Sequence, residues 1–184
     1  NGVGGPLVTF TVRVSDIEAH RNSNLSAWTR LAKEIKAEGY CPVFLTDTDV
    51  ALRANRADFA SELLVNWVGP VNLEIRTALY QRSYISMSQS GGPAFINFFM
   101  KDSIYAGFQP VNAIPEVFSK ETGTGEGLAG MERVFGIKAG DLFAFSNPGQ
   151  KLVWEPDSYN NIRKVFNELV EHRAVSPLPS GIPQ

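Results

Sequence analysis

YISMSQSGGPAFINFF, Tyr84 to Phe99, is the stretch on which the reading of the fold turns. Tyr84, Ile85 and Met87 suit a buried strand. Gly91-Gly92 allows a turn that larger side chains would block, and Pro93 suits the first turn of a helix, where its missing N–H costs nothing. Phe95, Ile96, Phe99 and Met100 follow at helical spacing, so a helix with that apolar face is expected. Such a strand, turn and helix start gathers free backbone N–H groups and the positive end of a macrodipole at one point, where a phosphate is held well. The turn carries neither a Walker A pattern nor G-x-G-x-x-G, and a plain strand-to-helix connection is the simpler reading of the same residues.

Upstream, Leu7 to Val14 (LVTFTVRV) is β-branched and aromatic and reads as a central strand with Arg13 at its carboxyl end, the end where open parallel sheets bind ligands. A polar loop, Ser15 to Asn24, ends in Arg21-Asn22-Ser23-Asn24. Ser23 or Asn24 can cap a helix whose Leu25, Trp28, Leu31, Ala32 and Ile35 share a face and which Gly39 stops. That cap uses only one of the three polar residues, and Arg21 adds a cation where an anion is favoured. Pro42 to Thr46 is a second strand followed by Asp47-Thr48-Asp49. Strand, helix and strand at this spacing imply a parallel crossover, in which an acidic residue after the second strand often bonds a ribose. Turn formation or capping is the alternative role for Asp47 and Asp49. Arg56 to Val65 reads as a helix and Trp67 to Gly69 as a short strand. Asn72 should cap a helix over Leu73 to Ser83, with Leu73, Ile75 and Leu79 inward, Tyr80 beside them, and Arg76 and Arg82 solvated.

Downstream, Tyr105 to Val111 reads as a strand and the glycine-rich 112–130 as a long loop. Its Gly123-Thr124-Gly125-Glu126-Gly127 fits a lid better than a phosphate cradle, since no clear strand precedes it. Leu142 to Phe145 and Lys151 to Trp154 read as strands. Tyr159 to Glu171 reads as an amphipathic helix capped by Asp157 or Ser158, and the tail from Val175 is rich in proline.

The fold class expected is α/β, a single three-layer Rossmann-like domain over residues 1–174 with a mainly parallel sheet, followed by the tail 175–184. Seventeen basic and nineteen acidic residues leave a formal charge of −2, which offers no footprint for a nucleic-acid polymer. Cys41 is the single cysteine, so neither an intrachain disulfide nor a cysteine-rich metal site can form. No apolar run is long enough to span a membrane and no secretory signal opens the chain, so a cytoplasmic location is expected. The start at Asn1, without Met, points to further chain upstream.

Three features in order carry a resemblance: a strand ending in Arg13 followed by R-N-S-N and Trp28; NLEIRTALYQRSYISMS; and QSGGP opening a helix. Over roughly residues 7–110 they resemble the nucleotide-binding C-terminal half of GT-B glycosyltransferases, in particular bacterial glycosyltransferase-like proteins with a similar R-N-S-N-x-x-x-W stretch. Heptosyltransferases of that class differ, having Asp-Thr-Gly and a histidine where this chain has Gln89-Ser90-Gly91. The resemblance implies that Ser90, Gly91 and Gly92 face a donor diphosphate with help from Arg13 and Arg21. Asn22, Ser23, Asn24, Asp47 and Gln89 complete the candidate nucleotide-binding set. It further implies a nucleotide-diphosphate-sugar as substrate, no cofactor and no metal, and an N-terminal acceptor-binding domain beyond this chain. No catalytic residue is assigned.

Two other readings remain open. Ser88-Gln89-Ser90-Gly91-Gly92 is one substitution from the G-x-S-x-G nucleophile elbow, which would make Ser90 the nucleophile of a serine hydrolase. The base must then follow the serine, and only His172 does. A non-catalytic nucleotide-binding or interaction domain is the third.

Overall fold

The fold comes from a computed structural model that describes residues 4–15, 22–52, 63–89, 94–108 and 135–175. Its strands are β1 (Leu7–Thr11), β2 (Cys41–Leu45), β3 (Leu64–Val65), β4 (Ile85–Gln89), β5 (Tyr105–Phe108) and β6 (Gln150–Val153). The helices are α1 (Leu25–Ala37), α2 (Thr48–Leu52), α3 (Leu73–Arg82), α4 (Phe95–Phe98) and α5 (Tyr159–Val175). The six strands form one sheet in the order β3-β2-β1-β4-β5-β6. All five pairings are parallel. This is a Rossmann-like α/β sheet, and its strand order reverses between β1 and β4.

The alternation V-T-F-T in β1 gives the sheet two unlike sides. Val8, Phe10 and Val12 join Ile85, Met87, Ala106 and Phe108 in a core covered by α1 and α5. Trp28 is fully buried there, edge-on to Phe10 at 5.4 Å and to Phe108 at 5.6 Å. On the other side Thr9 Oγ1 donates to Ser86 Oγ (2.8 Å), and Thr11 Oγ1 shares a 2.7 Å bond with the Tyr80 hydroxyl of α3. A smaller cluster of Ala94, Phe98, Tyr105, Ile137, Phe143 and Leu152 lies under α4. Gly107 makes room for it, because a Cβ there would sit 2.8 Å from the Phe98 ring.

Asn24 caps α1, and Gly39 ends it at φ 96°, as the sequence implies. Asn72 caps α3. The expected inner strands over 8–12, 43–46 and 85–88 are β1, β2 and β4, all internal to the sheet.

Several local expectations are corrected. Leu64 and Val65 are strand rather than the end of a helix. Trp67 to Gly69 is a turn, because Asn66 Oδ1 accepts from the N–H groups of Val68 (3.1 Å) and Gly69 (2.7 Å). Arg76 is buried, not solvated; its guanidinium donates to the carbonyls of Gly69 and Pro70, which the turn leaves without strand partners. Leu73 is then turned outward, 63% exposed. Helix α4 stops at Phe98, so the stripe expected from Phe95 to Met100 never forms; Asn97 and Phe98 point inward and Phe99 is 59% exposed. Leu142 to Phe145 is not a strand: Leu142 is irregular, and the chain then turns, with Ser146 N–H donating to Phe143 O. Asp157 does not cap α5. Ser158 does, and the helix runs on to Val175. Residues 53–62, 109–134 and 176–184, with the expected glycine-rich loop and tail, lie outside the described residues.

Candidate functional site

Parallel strands point their carboxyl ends the same way, so Arg13 beyond β1, Asp47 beyond β2 and Gln89 at the end of β4 share one edge of the sheet. Because the order reverses between β1 and β4, the connections leaving these strands part to opposite sides: α1 packs in the Trp28 core and α4 in the Phe98 cluster. The place where they part is the crevice at which ligands of open α/β sheets usually bind.

The β1 side of the crevice is held by its own polar side chains. Ser23 Oγ accepts from the Arg13 N–H (2.8 Å), and Ser23 N–H returns a bond to Arg13 O (2.9 Å). Asn22 clamps Ser15 twice, accepting at Oδ1 from its N–H (2.7 Å) and donating from Nδ2 to its carbonyl (3.0 Å). Asp47 Oδ2 accepts from Val14 N–H (2.8 Å), while its carbonyl accepts the first bond of α2 from Ala51. Thus Asn22, Ser23 and Asp47 are brought together with Arg13, and each spends polar capacity on the backbone of residues 13–15.

Helix α1 presents a closed N-terminus. Asn24 Oδ1 accepts from Ala27 N–H (3.2 Å) and Ser23 O from Leu25 N–H (2.8 Å). The Asp157 carboxylate, from the connection between β6 and α5, accepts from both Asn24 N–H (2.8 Å) and Trp28 Nε1–H (2.7 Å). The chain therefore supplies its own anion where the macrodipole favours one. Sequence reasoning missed this role for Asp157. The available signal was Trp28 itself, since a buried indole N–H needs an acceptor.

Across the crevice, Gln89 is 4% exposed at the last paired position of β4. Ser88, in register with Thr11, lies on the Tyr80 side of the sheet. Arg21 and Ser90, Gly91 and Gly92 lie outside the described residues. His172 is at the far end of the sheet: a Cβ on Gly149, just before β6, would meet its Nε2 at 2.9 Å. An open cavity of about 390 Å³ also lies at that far end, beside Tyr40, Cys41 and Leu64, away from the crevice. No group of acidic, histidine or cysteine side chains among the described residues is arranged to hold a metal, and no described helix is long and apolar enough to cross a membrane. Comparison with protein-family models, with curated proteins and with solved structures gives no match for this chain.

Proposed function

We propose that this domain binds a nucleotide-diphosphate sugar and is the donor half of a GT-B-type glycosyltransferase acting in the cytoplasm. The observation that carries the proposal is the reversal of strand order between β1 and β4. It makes neighbours of the two stretches whose sequences resemble the donor-binding segments of that class, the one from Arg13 and the one from Gln89. The acceptor and the group that activates it belong to a partner domain in this reading. The serine hydrolase has less support, because His172 packs beside Gly149 at the amino end of β6, whereas Ser90 follows the carboxyl end of β4.

Calorimetric titration with UDP, GDP and ADP tests the proposal. Wild type should bind at least one saturably. Arg13→Ala should weaken that binding by roughly 1 to 3 kcal/mol, the scale of a charge-assisted hydrogen bond. The two bonds between Arg13 and Ser23 engage the N–H and carbonyl of Arg13 and so survive this substitution. Failure of all three nucleotides on wild type overturns the proposal.

A further inference from the structure

A parallel strand buried on both sides gives each residue one face, and β4 assigns them in strict alternation. Ile85 and Met87 enter the core beneath α1 and α5, while Ser86 meets Thr9 on the opposite side. Gln89 falls on the Ile85–Met87 side, one residue beyond the end of that apolar stripe. It pairs in register with Phe108 on one flank, and on the other it follows the Thr11–Ser88 pair and so lies beside Val12. A long amide at such a place is costly unless both its ends are bonded. Gln89 Oε1 is buried and has no hydrogen-bond partner among the described residues. Asn97 Oδ1 on α4 is also buried without a partner among the described residues, but it lies on the Phe98 side of the sheet, opposite the face that Gln89 takes.

The surroundings indicate what is missing. A lone acceptor needs a donor, which a phosphate oxygen at neutral pH does not supply. The same side of the sheet also carries a negative charge: Asp157 holds Trp28, whose ring meets Phe108, the neighbour of Gln89 in the next strand. With Asp157 already on the α1 N-terminus, a second anion there would face repulsion at the most favourable backbone donors. A neutral hydroxyl meets neither obstacle.

From this geometry we infer that Gln89 accepts a hydrogen bond from a ligand hydroxyl, and is therefore a sugar-reading residue rather than a diphosphate contact. The inference rests on the nucleotide-sugar reading above and assigns the α1 side of the crevice to a polyol, either the ribose or the transferred sugar. The diphosphate is then left to the side of the crevice away from Asp157.

The test compares wild type with Gln89→Met, which keeps length and flexibility but has no acceptor. Both are titrated with inorganic pyrophosphate, UDP, 2′-deoxy-UDP, 3′-deoxy-UDP and UDP-glucose, or with the GDP or ADP counterparts if that base binds better. Pyrophosphate should bind both proteins alike. If the hydroxyl is on the ribose, Gln89→Met should lose about tenfold or more on the nucleoside diphosphate, and one deoxy ligand should show the same loss on wild type with no further loss on the variant. If it is on the transferred sugar, UDP and its deoxy forms should bind the two proteins equally and only UDP-glucose should lose affinity. Without ligand, Gln89→Met should melt no lower than wild type, because Oε1 has no partner to lose among the described residues. A drop of several degrees would show a structural partner and overturn the inference. A loss on pyrophosphate would do so too, by showing the amide N–H turned to phosphate, as would equal binding of every ligand by the two proteins. If wild type binds none of these compounds, the nucleotide reading itself falls and takes the inference with it, an outcome distinct from the other three.

Discussion

The two sides of the β1–β4 pair are held by different physics. Beneath α1 and α5, Val8, Phe10, Ile85 and Met87 meet Trp28, Leu31, Ile35 and Phe166, and the binding is non-directional burial. Facing α3, Thr9, Thr11, Ser83, Ser86 and Tyr80 are buried too, but joined by hydroxyl bonds. The first side should respond to lost volume and the second to lost partners or altered protonation. The hydroxyl side also fixes the seating of α3, since Tyr80 and Ser83 bond Thr11 and Thr9 at set positions on β1.

The sharpest test of the apolar side is Trp28→Ala. It removes two edge contacts and a fully buried ring and leaves a cavity, so stability should fall by about 3 to 5 kcal/mol. Thr9→Val on the other side keeps the volume and should cost only about 1 to 2 kcal/mol, because it strands the Ser86 hydroxyl while Ser83 keeps its bond to the Leu79 carbonyl. Urea denaturation of the pair checks this, and equal losses would erase the distinction between the sides.

Protonation separates the sides next. Burial pushes the Tyr80 hydroxyl up to about 12, against a smaller opposing effect of its bond to Thr11. Its folded pKa lies above the unfolded value of 10.0, so the folded state holds the proton more tightly. This contribution is full below pH 10 and is lost as pH rises toward 12, a total of roughly 3 kcal/mol. Tyr105, also raised to about 12 by burial, adds in the same direction. Stability measured by urea from pH 8 to pH 12 should fall steeply in wild type. In Tyr80→Phe it should start lower, by the loss of the Thr11 bond, and fall less. Parallel pH curves would mean that Tyr80 ionises without cost to the fold.

Much of the apolar side was legible because its pattern is periodic. The stripe through Trp28, Leu31, Ala32 and Ile35 and the alternation in LVTFT need no tertiary knowledge, and both are buried as read. What escaped reading was decided by single long-range bonds. Arg76 carries a charge that favours water, yet two carbonyls in the turn before α3 draw it inside. Asp157 sits where a helix cap belongs, yet it is taken by an indole and an amide on α1. The site follows the same rule: strand ends placed Arg13, Asp47 and Gln89 on one edge, whereas the spending of Asn22, Ser23 and Asp47 on backbone N–H groups depends on loop geometry that no spacing encodes.

Asp157 links a polar group to the apolar side, and so probes whether hydrogen bonding contributes there at all. Asp157→Ala leaves the Trp28 indole and the Asn24 N–H without an acceptor and should cost about 1 to 3 kcal/mol. Asp157→Asn keeps an acceptor at the same reach and should lose less. The Trp28 indole N–H resonance gives a second measure: it should move and exchange faster in the Ala variant and stay near its wild-type position in the Asn variant. If Asn costs as much as Ala, the negative charge at the α1 N-terminus matters more than the hydrogen bonds.

The smallest effect should come from polar contacts outside both sides of the sheet. On the solvent edge of α1 and α5, the Tyr159 hydroxyl donates to Glu34 Oε2 at 2.5 Å, Arg30 Nε lies 3.0 Å from Oε1, and the Arg30 guanidinium covers the Tyr159 ring at 3.6 Å. The Tyr159 bond, and after it Arg30, hold the Glu34 carboxyl below its ordinary value of 4.5. A depressed folded pKa gives stability that is present above pH 4.5 and is lost as pH falls through the folded value. Because these groups are exposed, water and salt screen most of it. Glu34→Gln should therefore melt only slightly below wild type near pH 7, with the gap closing as the pH falls below 4.5 and through the folded value, and shrinking in high salt. A gap that persists unchanged down to the acid limit of the folded state would assign the contact to neutral hydrogen bonding and packing of Tyr159, placing it with the geometry-bound interactions of the α3 side rather than with surface charge.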